Sequence, residues 1–99
     1  MNGAIVETIH DMTDWCGIYM RSVLLPLKGC TIEQHVHQYD HPTYCGNGSA
    51  EYWEDGALVG TVSAGGAVKV RAGKKHHFVA LEDNTRLACV HDVTSAGGI

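Results

Sequence analysis

Short apolar runs separated by glycine-containing breaks restrict the folds open to this chain more than any other feature of its sequence. Twelve glycines occur among the 99 residues, and no stretch shows the apolar spacing of an amphipathic helix. The pattern predicts about eight short β-strands, with at most a helical turn near Asp11 to Trp15. In chain order the runs are AIVETI, GIYMRSVLL, TIEQHVH, SAEYW, ALVGTV, AVKV, HFVAL and RLACVHDV.

Many short strands with closely spaced turns are typical of an all-β sandwich or barrel, and a jelly-roll barrel fits best because closing the sheet removes exposed edges. The clearest turn is Asp55-Gly56, which predicts a tight hairpin between SAEYW and ALVGTV. A chain of this length has room for one core, so we predict a single domain over residues 1–99. Its core covers about residues 18–93, and the strand at 4–9 and the tail at 94–99 are peripheral.

Charge and composition exclude several classes of function. The formal net charge of −4 argues against a partner nucleic acid, which basic proteins bind. The basic cluster of Arg71, Lys74 and Lys75 is interpreted as a solvated turn. No apolar run is long enough to span a membrane and no secretory signal opens the chain, so we expect a cytoplasmic protein. The four cysteines form no C-x-x-C pair and are expected to be reduced thiols.

Four of the seven histidines have spacings that suggest a metal site. His35 and His37 are two residues apart in a predicted strand, so their side chains point to the same face. His41 follows at a predicted bend, and His76 comes from a distant strand. Imidazole suits divalent Fe, Mn, Zn, Ni and Cu, so the cofactor is predicted to be one such ion. The alternative is that these histidines lie at the surface or are hydrogen-bonded in the core.

The spacing around these histidines resembles the first sequence motif of the cupin family. Here the motif runs from Gly29 through CTIEQ, His35-Val36-His37, QYD, His41 and PTYCGN to Gly48. Every spacing of the family motif is kept. The departure is His41, which stands where most family members have glutamate.

A second, weaker motif lies downstream. It runs from Gly65 through GAVKV, Arg71-Ala72-Gly73 and KK to His76, then HFV and Ala80, and it lacks the proline and asparagine of the family pattern. The resemblance covers about residues 18–93. It implies a double-stranded β-helix (jelly-roll) barrel, a metal ion held by the four histidines, and a homodimer paired through sheet faces and N-terminal strands.

Histidine in place of glutamate changes the charge of the predicted site. Four neutral histidines leave a divalent ion near +2, which favours an anionic or enolisable substrate. We predict a dioxygenase-type metalloenzyme acting on a small organic molecule. Two alternatives stay open: a non-redox zinc or nickel isomerase, lyase or cyclase, and a non-catalytic binding or sensor protein.

Acid–base roles are assigned to two further residues. Alternation along the strand gives Glu33 the same face as His35, so Glu33 is a candidate general base or metal-supporting residue, or else a solvated charge. His91 is a candidate proton carrier, with a hydrogen-bonded core histidine as the alternative. His77 is expected to face away from His76.

Three aromatic residues are candidates for contact with substrate. Tyr39 and Tyr44 lie with Cys45 in a predicted loop that could gate the pocket, although packing of the loop is the interpretation we favour. Phe78 shares the predicted inward face of His76. Its expected role is barrel packing, with substrate stacking as the alternative.

Overall fold

The computed structural model describes residues 6–36 and 39–92, without the side chains of Val6, Glu33, Gln34, His35 and Asp92. Nine strands and one short helix make up this part of the chain. The strands are β1 (Val6–Met12), β2 (Ile18–Leu25), β3 (Thr31–His35), β4 (His41–Asn47), β5 (Ser49–Glu54), β6 (Ala57–Ser63), β7 (Ala67–Val70), β8 (His76–Ala80) and β9 (Thr85–Asp92). Helix α1 (Thr13–Cys16) occupies the predicted helical turn.

The strands form two antiparallel sheets. The larger has the order β1-β2-β9-β4-β7 and the smaller the order β3-β8-β5-β6. Strands adjacent in space are mostly distant in sequence, as in β2 with β9 and β3 with β8. The predicted all-β jelly-roll barrel is confirmed.

The predicted hairpin joins β5 and β6 at Asp55 and Gly56, whose φ angles are 51° and 80°. Positive φ at both central residues is the geometry that matches the twist of the flanking strands. In the described part of the chain each of the eight predicted runs coincides with a strand: AVKV matches β7 residue for residue, and the other runs differ at their ends by one to three residues.

One predicted loop is a strand, and this is the main correction to the sequence interpretation. Segment HPTYCGN forms β4, which pairs with β7 on one side and β9 on the other. His41 therefore begins a strand instead of lying in a bend. Pairing with β9 starts only at Thr43, so the missing N–H of Pro42 falls outside that ladder.

The core is built by alternation along these strands. Buried residues point inward from both sheets, and among the largest fully buried side chains are Tyr52, Phe78, Leu25 and Leu87. All four cysteines are free. No helix in residues 6–36 and 39–92 is long and apolar enough to cross a membrane.

The basic cluster is balanced by nearby carboxylates. Arg71 pairs with Glu54, and Lys74 lies 3.5 Å from Asp55. Two of the three positive charges of the cluster are therefore paired with carboxylates of the same chain, in agreement with the interpretation of this segment as a turn.

Candidate functional site

The structure brings His41 and His76 together inside the barrel. His41 begins β4 in the larger sheet and His76 begins β8 in the smaller sheet, so the two rings meet from opposite walls. Their side chains are almost fully buried, with 3% and 1% exposure. The ring centroids are 6.0 Å apart and the rings are nearly perpendicular. Two imidazoles bound to one ion through metal–nitrogen bonds of about 2.1 Å have centroids within about 6–7 Å of each other, so this separation is compatible with a shared metal.

Main-chain carbonyls orient both rings. Nδ1 of His41 lies 3.1 Å from the carbonyl oxygen of Pro42, and Nδ1 of His76 lies 3.3 Å from that of Lys74. A neutral imidazole that donates from Nδ1 carries its lone pair on Nε2. Metal-binding histidines are commonly oriented by such a second hydrogen bond, so the donor chemistry of this pair fits a transition metal.

Strand register places His35 next to His76. The Cα atom of His35 is paired with that of His76, and on its other side His76 is paired with Glu54. An extra residue in β3 lies between Ile32 and His35, so alternation does not carry from Glu33 to His35. The assignment of Glu33 stays a prediction without that support. His37 lies outside the described residues, and so do the side chains of Glu33 and His35.

No cluster of three or more histidine, cysteine, aspartate or glutamate side chains suited to a metal occurs among the described side chains. Of the four predicted ligands, the structure therefore shows the side-chain positions of His41 and His76. The register position of His35 is consistent with the same site.

Aromatic and imidazole rings line the wall beside His41. The ring centroid of Tyr39 lies 5.9 Å from that of His41 and 4.8 Å from that of His91. The ring centroids of His91 and Tyr19 are 5.3 Å apart. Burial raises the pKa of Tyr39, so its phenol stays protonated near neutral pH. The ring series connects the predicted proton carrier His91 to the histidine pair through Tyr39.

A buried carboxylate lies on the other side of the pair. Glu54 is 8% exposed, accepts a 3.0 Å hydrogen bond from the Tyr52 hydroxyl, and binds the Arg71 guanidinium through both oxygens. The Arg71 hydrogen bond holds the pKa of Glu54 below its usual range. Burial, together with Glu54, raises the pKa of Tyr52 to about 12. The ring centroids of Tyr52 and His76 lie 6.4 Å apart. The hydrogen-bonded group of Tyr52, Glu54 and Arg71 therefore supports the barrel wall behind His76.

Replacing Arg71 with glutamine should destabilise the protein at neutral pH, because Glu54 would stay buried without its cationic partner. A carboxyl with a lowered native pKa stabilises the fold fully above the ordinary glutamate pKa of about 4.3, and this contribution is lost as pH falls through the native value. Urea unfolding of wild type and R71Q should therefore differ most at pH 7, with the difference narrowing towards pH 3.

Lys74→Gln is the matched control, because it removes the same charge from an exposed pair. We expect its unfolding curve to stay close to that of wild type at every pH. Equal effects of R71Q and K74Q, or an R71Q effect that grows as pH falls, would contradict the role given to Glu54.

Arg21 is a charged residue in the barrel that the sequence interpretation missed. It alternates with the buried Val23 and Leu25 on β2, and its Cα atom is paired with that of Cys89. A 3.4 Å hydrogen bond joins the Cys89 thiol to the Thr43 hydroxyl. Burial raises the pKa of Cys89, against smaller lowering effects of the Thr43 hydrogen bond and the Arg21 charge. The alternation of IYMRSVLL was the available signal for an inward arginine.

The remaining predicted residues have distinct positions. Phe78 is fully buried, 5.0 Å from the Tyr52 ring, as expected for barrel packing. Tyr44 alternates with buried neighbours on β4 and is 46% exposed, while Cys45 is buried. His77 faces away from the interior and stacks on Trp53 at 5.6 Å.

The two antiparallel sheets form a jelly-roll barrel, and this is the fold of the cupin barrels. Solved structures of cupin proteins resemble it over most of its length. KdgF from Halomonas sp. superposes with a TM-score of 0.72 at 23% identity, covering 87% of this chain and 76% of that one.

Two further structures are similar but belong to longer chains. A cupin 2 conserved barrel domain protein from Leptotrichia buccalis has a TM-score of 0.75 at 20% identity, and 93% of this chain covers 42% of it. A mutant of Bacillus subtilis oxalate decarboxylase OxdC has a TM-score of 0.73 at 20% identity, where 87% of this chain covers 24%. No family model matches the chain, and no curated protein shows significant sequence similarity to it.

Proposed function

We propose that this protein is a metal-dependent cupin enzyme that acts on a small organic anion. The observation that carries the proposal is the buried pair of His41 and His76, contributed by opposite sheets and each oriented by a main-chain carbonyl. His35, through its register with His76, and His37, through the sequence motif, complete the proposed set of four ligands.

A divalent transition metal bound there would supply Lewis acidity and, if it is iron, manganese or copper, redox chemistry with oxygen. The residues around it determine what can enter. Tyr39 and His91 form a polar wall with ring nitrogens and a hydroxyl, and the buried Tyr52 and Phe78 close the opposite side. Such a pocket suits a small substrate with an apolar part and one or two polar groups.

Charge supports an anionic substrate. Four neutral histidines do not cancel the charge of a divalent ion. The buried carboxylate of Glu54 does not cancel it either, because Glu54 is already paired with Arg71. Arg21 adds a second positive charge on the inward face of β2. The similarity to an oxalate decarboxylase, whose name specifies a small dicarboxylate, is consistent with this class of substrate.

The test combines elemental analysis of the protein purified without added metal with oxygen consumption. For a dioxygenase-type enzyme we expect about one equivalent of iron, manganese or copper and uptake of oxygen with enolic or carboxylate substrates. A protein with no bound transition metal would contradict the proposal as a whole. A redox metal without oxygen uptake or turnover would contradict the dioxygenase-type reaction.

A non-redox isomerase, lyase or cyclase is the second candidate, and the contact of His91 with Tyr39 favours it. The ring centroids of His91 and Tyr39 lie 4.8 Å apart beside the histidine pair, and an imidazole at this position would carry a proton in a reaction that needs no oxygen. Turnover that persists under nitrogen, with zinc or nickel bound, would select this candidate. Tight binding of a metabolite without turnover would instead indicate a sensor.

Homodimer formation is part of the proposal. Strand β1 lies at the edge of the larger sheet and carries Ile9, which is 46% exposed. A second copy that covers this edge would satisfy its unpaired main-chain groups. Light scattering should give twice the chain mass of 10.7 kDa, and a monomer at micromolar concentration would contradict it.

A further inference from the structure

Arg21 lies on the inward face of the larger sheet, at a distance from the histidine pair that a small molecule can span. Its strand, β2, is separated from β4, which carries His41, by β9 alone. Two inter-strand spacings amount to about 10 Å, and His41 lies two residues from Thr43, which shares its β9 partner Cys89 with Arg21. The neighbours of Arg21 on this face, Tyr19, Tyr39 and Cys89, are all partly exposed, so solvent reaches these side chains.

The guanidinium of Arg21 has hydrogen-bonding capacity that the described residues do not fill. Its Nε atom is buried and makes no hydrogen bond within the described part of the chain. The nearest carboxylate is that of Glu7, and the Nε to Oε2 distance of 3.7 Å is too long for a hydrogen bond. Both side chains are accessible, with 30% and 45% exposure.

The groups around Arg21 favour a carboxylate ligand. Burial raises the pKa of both the Cys89 thiol and the Tyr39 phenol, so both are neutral near pH 7, and Glu7 is the only described anionic side chain paired with Arg21. A buried donor without an acceptor is costly, and a ligand carboxylate would satisfy it with a short, charge-assisted bond. The fork of an arginine also matches a carboxylate in shape.

We propose that Arg21 is the carboxylate-binding residue of the pocket, and that the ligand is a short-chain carboxylate with a second oxygen-bearing group that reaches His41 and His76. The contact of the ligand with His41 and His76 rests on the proposed function. The contact with Arg21 rests on the inward position of Arg21 on β2 and on its Nε atom, which makes no hydrogen bond within the described residues. Glu7 competes with the ligand for the guanidinium and lowers its affinity.

Calorimetric titration with oxalate, malonate and succinate tests the proposal, with succinamide as the uncharged probe. We expect Arg21→Gln to weaken binding of the best carboxylate at least about tenfold, and Glu7→Gln to strengthen it. Arg86→Gln is the matched control, because Arg86 is exposed on β9, binds the Ser22 hydroxyl and carries the same charge. Its affinity should stay within about twofold of wild type.

The titrations are run on the protein as purified and after chelation, and each sample is analysed for metal. If R21Q keeps its metal and binds carboxylates as wild type does, this inference is overturned while the proposed function stands. If wild type contains no metal but binds a carboxylate through Arg21, the proposed function fails and the Arg21 site stands. Equal losses in R21Q and R86Q, or no carboxylate binding by wild type, would also overturn the inference.

Discussion

Replacing His76 with glutamine is expected to remove the metal ion while the barrel stays folded. His76 is 1% exposed and supplies one of the two described imidazoles of the proposed site. Loss of a residue that merely supports a metal ligand costs 10–100-fold in affinity, so loss of a ligand should cost at least about 100-fold. Glutamine has a similar volume and can still donate to the Lys74 carbonyl, so we expect destabilisation below about 2 kcal/mol.

His77→Gln is the matched control for that variant. His77 is the next residue, has the same chemistry, and faces away from the interior to stack on Trp53. Elemental analysis and a metal titration should show wild-type affinity in H77Q and little metal in H76Q, with circular dichroism showing that both are folded. Equal metal content in the two variants would contradict the assignment of His76.

Gly48→Ala is expected to have the largest effect on stability. Gly48 has a φ of +73°, and an added Cβ would lie 2.5 Å from Oγ1 and 3.1 Å from Cα of Thr85. That hydroxyl is buried and shares its single hydrogen between the carbonyls of Glu82, at 2.9 Å, and Ser49, at 3.2 Å. Left-handed backbone costs a non-glycine residue roughly 1–2 kcal/mol, and overpacking adds roughly 1–3 kcal/mol, so we expect a loss of about 2–5 kcal/mol.

Gly56→Ala separates the backbone strain from the overpacking against Thr85. Its φ of +80° imposes the same backbone penalty, but no atom lies within 4 Å of the added Cβ. We expect a loss of roughly 1–2 kcal/mol from backbone strain alone. Denaturant unfolding of both variants gives the difference, and a G48A loss no greater than that of G56A would contradict the packing against Thr85.

The strands were predictable because their alternation and turns are local properties. Asp55-Gly56 carries its turn type in two residues, and AVKV needs no distant information to be recognised as a strand. Strand β4 was missed because Pro42 and Gly46 are residues of turns, which hid the alternation of His41, Thr43 and Cys45. That strand forms only because β7 and β9 are present to pair with it, and partners from elsewhere in the chain are not visible in a local pattern.

The site was predictable where a sequence motif fixes spacing, and unpredictable where residues meet across sheets. Spacing singled out His41 and His76, which the structure places 6.0 Å apart. Nothing local connects Glu54 with Arg71, seventeen positions later, and neither residue was given a role. The alternation used for Glu33 is interrupted by a bulge in β3, an irregularity that the apolar pattern does not reveal.

The central claim is that a metal ion lies inside the barrel between the two sheets. The most direct measurement is an anomalous difference map from crystals of the protein purified without added metal, recorded on both sides of the absorption edge of the metal found by elemental analysis. We predict one strong peak about 2.0–2.2 Å from Nε2 of both His41 and His76. A map without a peak between the sheets, or with its metal at surface residues such as His10 or Cys16, would contradict the account.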